Sequence, residues 1–297
     1  MTLVNDRSAR HRGVDLHAHT TASDGSLSPR ELVRLAADRD LSVLAVTDHD
    51  TTTGLDEAAM EARSIGIRLV PGVELGADLL GAEVHLLGYH FDPHYSVLLR
   101  ALEKMRQERL VRLDAMLEKL QDLDMKVSRE RVLAIAGMST VGRPHLAMAM
   151  MEAGHVQSID EALQRYLGHS KPAYVPRTQT SIIECIGLIH EAGGVAVLAH
   201  PTKVNNVEDV LPVLVEAGLD GLEVYYGEYD SLTKSWLRSL AEKYALICTG
   251  GSDFHGLSSL SHAQLASVEV PWECVENLEE RARDRRAKHG SSQFHEF

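Results

Sequence analysis

The side chains able to do chemistry stand in short, separated clusters. His17 and His19 alternate along Asp15-Leu-His17-Ala-His19-Thr, Asp24 follows, and then come His49 in Asp48-His49-Asp50, Glu74, His85, His200, and the pair Asp253 and His255. Alternate residues of an extended strand point to one side, so His-x-His can offer two imidazoles to one ion. One such histidine by itself is more often a hydrogen-bonding loop residue, and a lone glutamate can cap a helix. That reading weakens as strands are added, because burying unpaired imidazoles and carboxylates together costs on the order of several kcal/mol apiece. Divalent cations would remove that cost. The donors exceed one tetrahedral zinc site and suit three ions, with Glu74 bridging two of them. Three divalent ions outweigh the carboxylates of Asp24, Glu74 and Asp253, which predicts a positive mouth on a chain of formal net charge -13. A phosphate substrate suits that inversion of sign.

The elements that must position these residues are legible from periodicity. Short β-branched runs at about 14–17, 42–47, 67–74, 83–89, 195–199, 221–225 and 246–250 alternate with helical patterns. They predict parallel strands joined by crossover helices in a barrel-like α/β fold. Ser28-Pro29-Arg30-Glu31 and Ser181 with Glu184 carry capping boxes, and Gly193 closes the second of those helices. The clusters follow or end strands, and in a parallel barrel those C-terminal ends meet at one face. Residues 97–174 break the alternation. Helices are predicted there over 98–124, 129–136, 143–153 and 158–167, the first with Leu102, Met105, Leu110, Leu113, Leu117, Leu120 and Leu123 as a core stripe. The expected organisation is a barrel of residues 1–96 and 175–297 with an inserted helical cap, 97–174, and a charged helix with a polar tail over 275–297.

Composition sets the frame. At 297 residues with 44% hydrophobic and 25% charged residues, the chain can bury a substantial core. Forty-three acidic against thirty basic residues argue against coating duplex DNA or an anionic membrane. No apolar run approaches the roughly 18–20 residues that span a bilayer, and the first ten residues lack a signal-peptide core, so a cytoplasmic location is expected. Cys185, Cys248 and Cys274 form no Cys-x-x-Cys and read as buried free thiols. Of the other histidines, His11, His262, His289 and His295 lie in polar or terminal context, and His90, His94, His155, His169 and His190 have no charged partner evident from the sequence. No obligate protein partner is evident either.

Five ordered motifs, Asp15-Leu-His17-Ala-His19-Thr, Thr47-Asp48-His49-Asp50, Pro71-Gly72-Val73-Glu74, Ala199-His200-Pro201 and Gly251-Ser252-Asp253-Phe-His255, resemble those of the polymerase and histidinol phosphatase (PHP) family of metal-dependent phosphoesterases. The resemblance runs over nearly the whole chain. It implies a distorted (β/α)7 barrel with a trinuclear centre: His17, His19, Glu74 and Asp253 for the first metal, Glu74, His85 and His200 for the second, Asp24, His49 and His255 for the third. Asp24 stands where many relatives carry histidine. Family resemblance tilts the ion towards manganese, while donors without thiolates also admit zinc or iron.

The insertion, with Gly142-Arg143-Pro144-His145 and Lys171-Pro172-Ala173-Tyr174-Val175-Pro176-Arg177, is similar to that of a bacterial subgroup. Its members remove the 3′-phosphate from nucleoside 3′,5′-bisphosphates and degrade short RNA from the 5′ end. The implied reaction is in-line attack by a hydroxide held between metals beside Glu74. Arg143, at a helix start, and Arg177, where the cap rejoins the barrel, are candidate phosphate-binding residues, with surface arginines the plainer alternative. His145 is a candidate substrate contact or general acid, with helix packing as its alternative, and Lys203 is a further anion candidate. Three rival readings stand: histidinol phosphate phosphatase, which the large basic-lipped cap disfavours; an amidohydrolase, which commonly needs a bridging lysine that no strand end supplies; and a non-enzymatic barrel, which predicts broken ligand sets.

Overall fold

Among the described residues, seven strands form one sheet in chain order, β1 (Gly13–Asp15), β2 (Leu41–Val46), β3 (Arg68–Leu79), β4 (Ala82–Tyr89), β5 (Val195–Leu198), β6 (Gly221–Tyr226) and β7 (Ile247–Gly251). This computed structural model describes residues 13–176, 180–256 and 263–288, so Arg177, His11, His262, His289 and His295 lie outside the described residues. The sheet curls until its edges meet. Leu16 N–H donates to Gly250 O at 3.1 Å, Asp253 N–H to His17 O at 2.8 Å and His19 N–H to Phe254 O at 2.9 Å. Gly251 permits that approach, since a Cβ there would stand 2.4 Å from the backbone nitrogen of His17.

One strand departs from the all-parallel expectation. β4 runs antiparallel to both β3 and β5, while the other pairs are parallel. No helix separates β3 from β4. A two-residue turn joins them, with Leu80 at φ 54° and Gly81 at φ 85°, the paired positive dihedrals that match a tight hairpin. Strand β3 accordingly extends five residues past Glu74, the last residue expected in it. Because β4 is reversed, His85 reaches the mouth from the first half of its strand, and Tyr89, paired with Val195 at the start of β5, lies at the opposite end.

Alternating side chains divide the barrel's core. Leu44, Val46, Leu86, Leu198 and Leu222 pack with the helices α1 (Pro29–Asp38) and α2 (Leu55–Ile65) and with three later helices, while Val14, Val43, Ala45, Leu87 and Val197 pack with a C-terminal one. The inserted segment supplies α3 (Ser96–Asp122), α4 (Arg129–Ala136), α5 (Arg143–Glu152) and α6 (Ile159–Ala162), which continues into a π-turn, Leu163–Leu167. The outer helices of the barrel resume with α7 (Ile182–Glu191), α8 (Val207–Glu216) and α9 (Ser231–Lys243), and α10 (Trp272–Lys288) is the C-terminal one.

The cap has an apolar cluster of its own, with Leu113, Met116, Leu120, Val132, Leu146 and Leu167 buried together. Helix α3 belongs to both cores: Leu98, Leu102 and Met105 pack with the barrel and Leu113, Met116 and Leu120 with the cap. Each such side chain contributes about 1.5–3 kcal/mol by burial. No disulfide joins the three cysteines, of which Cys185 and Cys274 are buried and Cys248 half-buried. No helix among the described residues is long and apolar enough to cross a membrane.

Candidate metal centre

The strand ends bring all nine expected donors to one mouth. His17 and His19 follow β1, Asp24 lies in the loop beyond them, and His49 ends the run from β2. Glu74 and His85 sit on the antiparallel pair β3 and β4, while His200 and the pair Asp253 and His255 follow β5 and β7. Two of these residues hold left-handed backbone, His200 at φ 29° and Asp253 at φ 53°. Such strain, about 1–3 kcal/mol each, persists only where surroundings impose it.

Glu74 is the hub. Its Oε2 stands 3.3 Å from His17 Nε2, 3.2 Å from His19 Nε2 and 3.2 Å from His49 Nδ1. Its Oε1 stands 2.8 Å from His85 Nδ1 and 3.2 Å from His200 Nε2. Asp253 Oδ1 lies 3.3 Å from His17 Nε2 and 3.1 Å from His19 Nε2, and Asp24 Oδ1 lies 3.4 Å from His255 Nε2. The donor atoms fall into three groups, each within 4.8 Å: His17, His19, Glu74 and Asp253; His49, Glu74 and His85; and His19, Asp24, His49 and His255. His19 and His49 therefore each stand between two groups, and His200 approaches the centre through Glu74.

Cations fit this arrangement. His17 Nε2, both ring nitrogens of His19, Asp24 Oδ1, His49 Nδ1 and Glu74 Oε2 are buried without a hydrogen-bond partner. Buried polar atoms without partners are rare, and here they converge, as the donors of a coordination sphere must. In the metal-free protein, protons share the task. Burial presses the His19 imidazole towards neutrality, but the Asp253 and Glu74 carboxylates overcome it and raise its pKa to about 10. His17 is likewise raised, by Glu223, Asp253 and Glu74 against burial. Burial opposes ionisation of Glu74 and Asp24, yet the adjoining imidazoles hold both well below the usual carboxylate range. For His49 burial wins, and its pKa falls to about 3, so that ring is neutral.

Several positioning residues lay beyond the sequence reading. Glu223, buried on β6, accepts a hydrogen bond from His17 Nδ1 at 2.8 Å and another from the His200 backbone N–H at 2.7 Å. The first turns His17 Nε2 towards Glu74, and the second pins the strained His200. A single acid inside the apolar run Gly-Leu-Glu-Val-Tyr-Tyr was the signal available. Asp48 accepts from Thr20 N–H at 2.7 Å and Ser23 Oγ at 2.6 Å, which folds the loop that presents Asp24. Asp50 accepts from Gly76 N–H at 3.0 Å and from Arg109 Nε at 2.6 Å.

Between this mouth and the cap lies a cavity of about 610 Å³. Its floor is the donor cluster; its far wall is apolar, with Leu113, Met116, Ile135 and Leu163. Arg143, first residue of α5, lines it, as do Arg109, Arg112, His145 and Lys203. Glu83 of β4 accepts two bonds from Arg112 at 3.1 Å, and Arg143 Nη2 stands 3.8 Å from the same carboxylate. The two guanidiniums overcome burial and hold Glu83 well below the usual range. His145 Nδ1 accepts the Gly142 N–H at 3.0 Å, Nε2 stands 3.5 Å from Ser139 Oγ, and burial lowers its pKa. Among the histidines set aside, two do have charged partners: His190 Nε2 lies 3.0 Å from Oδ2 of Asp220, just before β6, and His94 Nε2 lies 3.7 Å from Asp56 Oδ1.

Comparison with known proteins agrees with this geometry. The family model described as the PHP domain matches residues 15–284. A 5′-3′ exoribonuclease of Haemophilus influenzae is 36% identical over 81% of this chain and 89% of its own length. A 3′,5′-nucleoside bisphosphate phosphatase of Chromobacterium violaceum is 33% identical over 82% of this chain and 87% of its own. A solved structure from Bifidobacterium adolescentis, classed as a metal-dependent phosphoesterase, superposes with a TM-score of 0.84 at 32% identity, covering 91% of this chain and 96% of that one.

Proposed function

The chain belongs to the PHP domain family of metal-dependent phosphoesterases, and on that premise we propose that it removes the 3′-phosphate from nucleoside 3′,5′-bisphosphates and also degrades short RNA from the 5′ end. The observation that carries this reading is the pairing, across one cavity, of the donor cluster around Glu74 with Arg143 on the cap wall.

His17, His19, Glu74 and Asp253 would hold a first divalent ion, Glu74, His85 and His200 a second, and Asp24, His49 and His255 a third, with manganese the ion proposed. When bound, such ions lower the pKa of water and neutralise phosphate oxygens. Glu74 faces imidazoles of two sets, one set through each oxygen, and would be the carboxylate shared by two of these ions. Hydrolysis adds water to phosphorus, breaks the bond to the ribose 3′-oxygen and leaves one proton on the departing hydroxyl. Arg143 grips the other phosphate, at the N-terminus of α5, and that binding energy places the scissile ester over the centre. The second arginine proposed for the grip, Arg177, rests on sequence alone.

His145 is assigned a neutral contact in place of acid catalysis. Its Nδ1 accepts the Gly142 N–H, so the ring proton sits on Nε2, 3.5 Å from Ser139 Oγ, on a ring that lines the cavity. The cavity's apolar wall suits a base that stacks without specific hydrogen bonds.

The test is phosphate release by manganese-loaded protein from adenosine 3′,5′-bisphosphate, 5′-AMP, 3′-AMP and histidinol phosphate. Strong preference for the bisphosphate, with AMP as product, is expected. Equal rates on all four would refute the two-phosphate grip, and preference for histidinol phosphate would move the assignment to that activity.

A further inference from the structure

Among the described residues, four cationic side chains, Arg109, Arg112, Arg143 and Lys203, line the cavity, and three are engaged by carboxylates. Arg109 is bound to Asp50, Arg112 is bound twice to Glu83, and Arg143 leans on the same Glu83. Lys203 differs. It ends a short turn, Pro201–Lys203, that begins beside His200, and its Nζ donates at 2.8 Å to the hydroxyl of Tyr226. That hydroxyl in turn donates at 2.8 Å to Asp253 Oδ2. Among the described residues, no carboxylate lies within ion-pair distance of the Lys203 ammonium.

The arrangement orders both ends of the relay. Tyr226 occupies Oδ2 of Asp253 and leaves Oδ1 to face His17 and His19. The same phenol, with the ammonium also 4.9 Å above its ring, holds Lys203 over the donor side of the cavity, opposite the cap wall that carries Arg143. Burial, with Asp253 and Glu223 close by, pushes the Tyr226 pKa far up, so the phenol keeps its proton and the donor order is fixed.

Resting on the phosphohydrolase reading above, we infer that Lys203 is a further catalytic residue whose ammonium binds a non-bridging oxygen of the phosphoryl group being transferred. It moves no proton. Its charge meets the oxygens on which charge accumulates, while Arg143 serves the phosphate that stays.

Two variants and two readouts test this. Lys203→Met keeps the aliphatic stem on Tyr226 at an exposed position, so the fold should hold, and Lys203→Arg keeps the charge. In the manganese-loaded protein, Lys203→Met should lose about a hundredfold in kcat/KM with adenosine 3′,5′-bisphosphate and with 3′-AMP alike, since both present the same scissile ester. Lys203→Arg should recover most of that loss. By isothermal titration, inorganic phosphate should bind Lys203→Met about tenfold or more weakly, with manganese content unaltered. Activity within twofold of wild type, a loss confined to the bisphosphate, or unweakened phosphate binding would each overturn the assignment. Wild-type protein that bound manganese yet hydrolysed neither ester would instead refute the phosphohydrolase reading, and this inference with it.

Discussion

Replacing Glu223 by glutamine removes one charge and no volume, yet the geometry forbids a silent outcome. Glu223 accepts two hydrogen bonds, one from His17 Nδ1 and one from the His200 N–H. An amide has one oxygen to give. If that oxygen keeps the His200 N–H, the amide NH₂ faces His17 Nδ1 and forces the ring proton onto Nε2, the atom that faces Glu74 and Asp253. If it keeps His17, two donors collide at His200 and the backbone at φ 29° loses its restraint. Removing such an orienting partner costs about 10–100-fold in metal affinity, which is about 1.4–2.8 kcal/mol. Because one carboxylate orients residues assigned to two ions, the upper end is expected. The assay is manganese titration of metal-free protein, followed by calorimetry and by the spectrum of free ion, with Glu223→Asp as the variant that keeps the charge. Manganese affinity within threefold of wild type for Glu223→Gln would refute the argument that this residue sets the His17 tautomer.

Arg143→Ala should raise KM for adenosine 3′,5′-bisphosphate about 10–100-fold, with a much smaller effect on 3′-AMP; equal losses on both would remove Arg143 from the phosphate grip. Gly25→Ala would place a Cβ 2.4 Å from the His19 carbonyl oxygen, so the loop bearing Asp24 must shift, and circular dichroism melting together with metal content should register a loss of both stability and bound ion. Manganese must displace protons from His17 and His19, so its apparent affinity should fall as pH drops from 8 to 6, and a flat profile would contradict the raised values. The same shifts stabilise the metal-free fold below the ordinary histidine pKa, and that contribution is lost as pH rises through about 10. The metal-free protein should therefore melt lower at pH 9.5 than at 6.5, by more than the loaded one does.

The convergence of the nine candidate donors was legible because strand ends are where periodicity stops and chemistry-bearing residues begin. What periodicity does not carry is strand direction: an alternating apolar run reads alike whichever way it points, so β4 was expected parallel. The clue was the pair Leu80-Gly81, too short a link for a crossover helix. The buried orienting acid Glu223 was hidden for the opposite reason, as one charged residue inside a strand whose apolar neighbours dominate its pattern. Arg106, Arg109 and Arg112, three apart on α3, were not singled out by the sequence, where nothing distinguishes them from other charged residues of a helix. In the fold they reach across to Asp50 and Glu83 of the barrel and line the seam between the two bodies.

The reversal of β4 also fixes the mechanics of the roof. The chain leaves that strand at the end remote from the donors, so it must climb the outside of the barrel before it can cover them. Helix α3, 27 residues and about 40 Å long, makes that climb without a break and is embedded in one core along its lower half and in the other along its upper half. A beam clamped in this way has no joint at which to swing. The space above the donor cluster is thus bounded on the cap side by a helix whose ordering is settled when the polypeptide folds, before any ligand arrives.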